Sequence, residues 1–304
     1  MVNTVVNAEP YSPASLGESR HAELSAAQLA HSASSRPASW GVVGMLAWRE
    51  WIRFFRQPHR VIAALGQPIL LWVLFGTGLH GAFRAGGDEN FMSYYLPGTI
   101  SLILLFTAIF ATISIIEDRR EGFLQSVLVS AAPRWTIALG KSVGGAAIAW
   151  VQAVIFLALA LLVGTATFSP AILSLLAMMA VAAVGITALG VCFAWPMDST
   201  QGFHAVMNLV LMPMWLLSGA FFPIPSLQGG EPIGQTVIHW LMRLNPMTYP
   251  TAGMRHLMNP AAAAAEGFWS PTLSVCWAVT LVATVVAVVA ATAVVHKNKL
   301  GDAS

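Results

Sequence analysis

Long runs without a charged side chain divide this sequence into apolar blocks. Uncharged windows cover residues 61–83, 90–116, 142–197, 199–230 and 267–296, with lengths of 23, 27, 56, 32 and 30 residues. A spanning helix needs about 20 apolar residues, so the longest window holds two spans and each of the others holds one. Backbone groups in lipid must be hydrogen-bonded within the segment, which favours helices over open sheet. The pattern therefore predicts an all-α, polytopic membrane protein with six transmembrane helices.

The predicted spans lie within these windows. They cover approximately residues 61–79, 97–116, 143–163, 171–195, 205–222 and 272–295. Together with their connections they predict a single transmembrane domain over residues 40–300. Residues 1–39 are rich in Ala, Ser, Pro and His and have no apolar core, which is typical of a disordered tail. No signal peptide is apparent in that tail.

Composition and charge agree with the membrane interpretation. Charged residues make up 9% of the 304-residue chain and hydrophobic residues 57%, whereas soluble domains carry roughly 25% charged residues. With both termini inside, 12 of the 15 Lys and Arg residues fall on the inner side, and Arg84, Arg243 and Arg255 on the outer side. This bias predicts cytoplasmic termini and a multi-pass protein of the cell (inner) membrane. The basic residues follow the membrane rule, so no nucleic-acid partner is expected.

The segment that precedes the first span is amphipathic. Within residues 40–57, Arg49, Arg53 and Arg56 recur at helical spacing, and aromatic residues lie off that stripe. Such a helix is expected to lie along the headgroups, with its basic face toward anionic membrane lipids or a partner protein. A simple anchor for the first span is the open alternative.

The connection between spans 2 and 3 carries the densest charge cluster. Five charged residues fill positions 117–121, and apolar residues follow from Phe123 at i,i+4 spacing. The acidic residues suit a helix N-terminus. We therefore predict a short amphipathic helix that docks on another protein, and a solvated loop whose charges only set topology is the alternative.

Polar and adaptable residues within the spans indicate a candidate substrate path. Methionine and aromatic side chains adapt to varied hydrophobic molecules, and intramembrane polar residues are functional candidates. Residues of these types more often pack between helices or face lipid, and that is the alternative. The candidate path residues are Phe106, Phe110, Asn208, Met212 and Trp215.

An outer segment over residues 223–258 contains prolines, glycines and an apolar run at 237–244 that is too short to span the membrane. A run of this length predicts a re-entrant or interfacial segment before the last span. Tyr249 is an expected interface anchor.

Three stretches in order resemble the permease subunits of the ABC-2 class of ABC transporters. They are residues 117–152, residues 216–223 and residues 244–249 together with Arg255, and the resemblance extends over about 40–258. It implies that the connection after span 2 is a coupling helix that enters a cleft on the ATP-binding subunit. The coupling residues it implies are Glu117, Arg119, Arg120, Glu121, Gly122 and Phe123.

The resemblance also assigns roles to other segments. It implies that residues 40–57 form a connecting helix, that spans 2 and 5 line a path near a dimer axis, and that the outer segment covers the exit. It also implies a partner permease, either a second copy or a related chain. The outer-segment residues concerned are Asn245, Pro246, Tyr249 and Arg255.

ATP hydrolysis is expected in a separate chain. The nearest match to a phosphate-binding loop is Gly140-Lys141-Ser142, but Trp135 replaces its first glycine, and Lys141 is interpreted as marking the inner membrane edge. We find no metal-binding or catalytic motif, so the chain is predicted not to be an enzyme and to bind no cofactor. ATP and Mg²⁺ are expected on the partner ATPase subunit.

The leading hypothesis is a permease subunit of an ATP-driven exporter for a hydrophobic drug or lipid-like molecule. An ion-gradient-driven secondary transporter is the first alternative, but such proteins use intramembrane carboxylates, and no acidic residue lies inside a predicted span. An integral-membrane enzyme is the second alternative.

Overall fold

A computed structural model describes residues 39–79, 91–129, 132–166, 170–227, 229–260 and 268–297. The predicted tail lies outside the described residues apart from Ser39, and Arg84 also lies outside them. We call the end of the bundle that carries residues 117–121 the inner end, following the charge-based prediction, and the opposite end the outer end.

Within the described part of the chain the fold is helical. The elements are α1 Ser39–Phe55, α2 Pro58–Gly78, α3 Phe91–Arg120, α4 Phe123–Val129, α5 Arg134–Leu162, α6 Ile172–Ala194, α7 Thr200–Trp215, the π-helical segment Leu216–Ala220, α8 Ile233–Leu244, α9 Thr248–Met258 and α10 Leu273–Lys297.

Six helices among the described residues are long and apolar enough to cross a membrane, which confirms the predicted number of spans. They are α2, α3, α5, α6, α7 with the π-helical segment, and α10. Several extend beyond the predicted spans: α3 continues to Arg120 and α5 begins at Arg134. The charge-free windows excluded these ends, because the helices carry charged residues at their inner termini.

The central helix is α3, which contacts α2, α5, α6, α7 and α9. Almost all of its side chains from Tyr94 to Ile116 are buried. A helix that is apolar on every side is typical of a buried position, so α3 forms the core around which the other spans pack.

Helix α1 packs against α5 through glycines. A Cβ atom at Gly144 would lie 2.9 Å from the Cα atom of Ala47, and one at Gly140 would lie 2.8 Å from the Cβ atom of Leu46. Small residues allow helix backbones to approach closely in membrane proteins. This close packing holds α1 against the inner part of span 3.

The fifth span is interrupted near its outer end. Pro213 lies within α7, the following turn is π-helical, and Gly219 has a φ of 74°. Proline lacks the amide hydrogen needed for the helical ladder, and π-helical turns leave the regular pattern. The chain then continues into the short helices α8 and α9, which precede the last span.

Candidate functional site

Eight charged side chains meet at the inner end of the bundle. They come from α1, from the first turn of α2, from the end of α3 with the residue after it, and from α5. We call this set the inner ion network. Its members are Arg49, Glu50, Arg53, Arg60, Glu117, Asp118, Glu121 and Lys141. Four cations and four carboxylates make the network formally neutral.

Asp118 is the centre of this network. The guanidinium of Arg49 donates to both carboxylate oxygens of Asp118, at 2.9 and 2.7 Å. Arg53 and Lys141 contact the same carboxylate. Because the side chain of Asp118 is fully buried, its charge depends on these three cations rather than on water.

Lys141 is equally enclosed. Its ammonium donates to Glu50 at 2.5 Å and to the hydroxyl of Ser114 at 3.1 Å, and the Lys141 and Glu50 side chains are only 3% and 4% exposed. Buried charges are tolerated when they are paired and hydrogen-bonded. Lys141 is therefore more than a marker of the membrane edge, because it links α5 to α1 and α3.

Arg53 connects the buried centre to the surface. Its guanidinium lies 3.0 Å from Glu117 and 3.1 Å from the exposed carboxylate of Glu121, and Arg60 also contacts Glu117. Burial lowers the pKa of Arg53, but Asp118 and the other carboxylates raise it more, so the pKa lies above its usual value. Arg53 thus stays charged across the physiological range.

The expected orientation of the basic face of α1 is wrong for two of its three arginines. Arg49 and Arg53 point to the carboxylates of the inner ion network rather than to lipid or a partner, and only Arg56 is exposed. The exposed stripe of α1 is apolar and includes Trp48 and Ile52. The carboxylates at the end of α3 turn the two arginines inward, because their pairing there replaces lost hydration.

The charged cluster after span 2 also differs from expectation. Glu117 and Asp118 belong to the last turn of α3 instead of beginning a new helix, and the amide of Glu121 still donates to the carbonyl of Glu117 at 2.9 Å. Gly122 then adopts a φ of 75°, a conformation that glycine adopts without strain. Helix α4 begins only at Phe123. We call residues 119–129 the inner turn.

Several predicted coupling residues make contacts within the chain. Arg119 donates to the carbonyl of Met197 and to the carboxylate of Asp198, both at 3.1 Å, while Arg120 donates to the Asp198 carbonyl at 2.8 Å. The ring of Phe123 lies 3.6 Å from the guanidinium carbon of Arg49. These contacts fix the inner turn to the connection between spans 4 and 5 and to α1.

A second polar cluster surrounds the break in span 5, and we call it the outer clamp. Its donors are the side chains of Trp215, Asn245 and Arg255. Trp215 donates to the Gly98 carbonyl at 2.8 Å, and Arg255 donates to the Gly219 carbonyl at 2.8 Å. Asn245 donates to the carbonyl of Met214.

Arg255 makes a second contact in the outer clamp, because its guanidinium carbon lies 4.3 Å from the centre of the Tyr94 ring. No salt bridge of Arg255 occurs among the described residues. Carbonyls at the end of a helix carry partial negative charge that favours a nearby cation. The outer clamp therefore holds the broken helix with carbonyls and an aromatic face.

The other predicted outer-segment residues lie beside the clamp. Tyr249 donates its hydroxyl to the Arg243 carbonyl at 2.8 Å, and exposed Pro246 lines a small cavity next to α6 and α10. The segment after the undescribed residues 261–267 also joins this region, since the amide of Trp269 donates to the Ile224 carbonyl at 2.9 Å. Sequence reasoning did not connect that segment with the outer part.

The predicted path residues do not form one site within a single chain. Phe106 and Trp215 are buried, Phe110 and Met212 are half-buried, and Asn208 is exposed. The rings of Phe106 and Phe110 stack with their centres 6.5 Å apart. Trp215 is buried and its indole donates to the Gly98 carbonyl in the outer clamp, so in this conformation it packs against the bundle and does not line an open path.

Sequence reasoning missed Glu50, Asp118 and Lys141 as a connected set. A partial signal was present, because a lysine two residues before predicted span 3 lies at the membrane edge, where it needs a counter-charge, and Glu117 and Asp118 directly follow predicted span 2. Among the described residues, no group of three or more His, Cys, Asp or Glu side chains is arranged to hold a metal ion.

Comparisons with known proteins indicate the family of this chain. Residues 42–259 match the sequence profile of the family described as ABC-2 type transporter. The chain is 25% identical over 224 residues to a protein named transport permease ycf38 from Cyanophora paradoxa, covering 71% of this chain and 73% of that protein. It is also 25% identical over 268 residues to the daunorubicin resistance ABC transporter permease protein DrrB1 of Streptomyces coeruleorubidus, covering 83% and 87% respectively.

Proposed function

This chain belongs to the ABC-2 type transporter family, and from that premise we propose that it is the permease subunit of an ATP-driven exporter. A transport permease of an ABC transporter works with an ABC ATPase subunit. In our proposal a separate ATPase chain binds ATP and Mg²⁺, and this chain moves a hydrophobic drug or lipid-like molecule across the inner membrane by alternating access.

The observation that carries the proposal is the inner turn. Glu121, Gln125 and Val129 are exposed there, while Leu124 is buried beneath them. Val129 is an exposed aliphatic residue at the end of a short helix, which suits an apolar contact with a partner rimmed by charge. We therefore assign ATPase docking to this exposed face, with Glu117, Arg119 and Phe123 supporting it from behind.

Coupling requires that a displacement of the inner turn by the ATPase subunit is transmitted to the spanning helices. The inner turn is continuous with α3, the central helix of the bundle, and the inner ion network joins α3 to α1, α2 and α5. Movement of the turn is thus expected to displace these helices together. Alternating access in our proposal begins with this displacement.

A second permease chain is part of the proposal. Asn208 lies on the exposed face of α7 within a span, and polar side chains at membrane depth almost always face a protein interior or a water-filled cavity. A second copy or a related permease would cover this face. The path would then lie between the two chains, with Phe110 and Met212 at its wall.

The substrate class rests on the relative that is named for daunorubicin resistance and on the adaptable residues of the candidate path. A hydrophobic or amphiphilic molecule suits a wall of aromatic and methionine side chains, whereas an ion would require charged groups. Many of the described charges at the inner end are already paired, either within the inner ion network or, as for Arg119, with Asp198.

Docking is tested by co-purification with the ATPase subunit. The variant Glu121→Arg/Val129→Asp changes two exposed residues and, within the inner ion network, removes only the exposed Glu121–Arg53 pair. We therefore expect loss of ATPase retention and of drug transport in vesicles, with a nearly unchanged melting temperature. Gln235→Arg on exposed outer helix α8 is the matched control. Retention of the ATPase and full transport by the double variant would refute the docking assignment.

A further inference from the structure

A groove runs along α1 at the inner end of the bundle, and we call it the inner groove. Its volume is about 640 Å³, which lies within the range of roughly 300–1,000 Å³ that is typical of small-ligand sites. One wall is apolar and consists of Met45, Trp48 and Ile52. The rest of the lining is charged or polar and consists of Arg49, Arg53, Arg56, Gln57 and Glu121.

The lining of the inner groove carries one positive charge that no carboxylate balances. The inner ion network contributes Arg49, Arg53 and Glu121 to the lining and is neutral, with its four cations matched by four carboxylates. Arg56 lies outside this balance, because it makes no salt bridge with any carboxylate in the described part of the chain. An occupant with a single negative charge would therefore complete the balance.

The apolar wall indicates where that occupant comes from. Met45 and Trp48 are 61% and 64% exposed, and they continue along α1 to exposed Phe55. A continuous exposed apolar stripe with tryptophan is typical of a helix in the membrane interface. The inner groove thus presents an apolar wall to acyl chains and a guanidinium to headgroups.

We propose that the inner groove binds an anionic phospholipid. Its phosphodiester group contacts Arg56, and its glycerol and upper acyl chains lie along Met45, Trp48 and Ile52. A phosphatidylglycerol headgroup carries the single negative charge that the groove lacks, whereas phosphatidylethanolamine is zwitterionic and leaves Arg56 unmatched. An acidic segment of a partner protein would match the charge but would have no use for the apolar wall.

The proposal does not depend on the transport function, because binding is measured on the full-length chain alone. The purified chain in detergent is titrated with phosphatidylglycerol and with phosphatidylethanolamine of the same acyl composition, and bound lipid is counted by native mass spectrometry. We expect preferential retention of phosphatidylglycerol. Arg56→Gln should weaken that binding about fivefold, and Arg56→Lys should restore most of it.

Two controls separate a defined site from general attraction. Lys297→Gln removes one exposed positive charge at the end of α10, away from the groove, and should leave phosphatidylglycerol binding unchanged. Trp48→Ala should weaken retention of both lipids, because it shortens the apolar wall. Equal retention of the two lipids by the unmodified chain, or equal losses in Arg56→Gln and Lys297→Gln, would overturn the proposal.

The same variants identify a protein occupant. If Arg56→Gln abolishes co-purification of the ATPase subunit while phosphatidylglycerol binding is unchanged, the inner groove is a protein contact and the lipid proposal is wrong. The inner groove shares Glu121 with the proposed docking face, but Arg56 is not part of that face, so under our proposal Arg56→Gln retains the ATPase.

Discussion

The inner ion network and the outer clamp join helices at opposite ends of the same bundle by different chemistry. At the inner end, eight ionised side chains pair with one another around buried Asp118. At the outer end, Trp215, Asn245 and Arg255 donate to backbone carbonyls around a broken helix. The first connects side chains with side chains, and the second connects side chains with backbone.

This difference predicts different responses to change. Removing one partner from a buried ion network leaves an uncompensated charge in a place that water cannot reach. Removing one donor from the outer clamp leaves a carbonyl, which is polar but neutral and which a neighbouring group or a water molecule can satisfy. We expect the inner end to behave as one cooperative unit and the outer end to tolerate partial loss.

The largest effect is expected for Lys141→Met. It removes the ammonium that pairs with Glu50 and Asp118 and leaves Glu50 buried with Arg49 as its nearest cation, 3.6 Å away. Breaking a buried ion pair from one side typically lowers the free energy of unfolding by about 3–5 kcal/mol. Denaturation in mixed micelles measures this loss, and Lys297→Met serves as the exposed control.

Charge balance decides whether the effect of Lys141→Met is electrostatic. The double variant Glu50→Gln/Lys141→Met removes one charge of each sign and leaves three cations and three carboxylates in the network. It should be more stable than Lys141→Met alone. If the double variant loses as much stability as Glu50→Gln and Lys141→Met lose together when measured singly, the two residues act through packing. The contrast with the outer clamp then disappears.

A smaller effect is expected for Arg255→Gln in the outer clamp. The change removes the hydrogen bond to the Gly219 carbonyl and the contact with the Tyr94 ring. Hydrogen bonds that involve a charged group contribute about 1.5–3 kcal/mol, so the free energy of unfolding should fall by that amount in the same micelle assay. A loss as large as that of Lys141→Met would show that both clusters respond alike.

Packing between α1 and α5 supports the inner network and has its own test. Gly144→Ala would place a Cβ atom 2.9 Å from the Cα atom of Ala47. Because that neighbour is backbone, it cannot move aside as the end of a flexible side chain can. Overpacking of this kind costs roughly 1–3 kcal/mol. The matched control is Gly44→Ala on the exposed side of α1, where nothing lies within 4 Å; equal melting temperatures for the two variants would contradict this packing.

The smallest stability effect is expected for Glu121→Gln. Its carboxylate pairs with Arg53 at 3.1 Å but is exposed, and exposed ion pairs typically contribute less than about 1 kcal/mol. Thermal unfolding in detergent at low and high salt should show little change at either ionic strength. A loss comparable to that of Lys141→Met would place Glu121 within the cooperative part of the network.

The spans were predictable because lipid requires long charge-free helices, and such helices are visible in the sequence as charge-free windows. The helix ends were not, because paired charges such as Asp118 and Lys141 belong to the helices although they interrupt the apolar pattern. Their pairing joins residues far apart in the chain. Periodicity in one helix cannot show which charge on another helix lies opposite.

The sequence also could not show which way the basic face of α1 points. Arg49 and Arg53 share one face of α1, and that face suits lipid, a partner protein or an internal carboxylate equally well. Packing on Gly140 and Gly144 turns it toward Asp118. Similarly, Asn245 and Arg255 were assigned to an outer segment, but their carbonyl partners depend on the break at Pro213 and Gly219.

The central claim is that the ATPase subunit docks on the inner turn, and cross-linking tests it most directly. Single cysteines are placed at exposed Val129 in α4, Lys297 at the end of α10 and Leu244 in α8, in a chain whose Cys192 and Cys276 are replaced by alanine. A short thiol-to-amine cross-linker is applied to the complex with and without ATP. We predict a cross-link to the ATPase from Val129→Cys, with a yield that changes on adding ATP, and none from Leu244→Cys. A cross-link from Lys297→Cys with none from Val129→Cys would contradict the account.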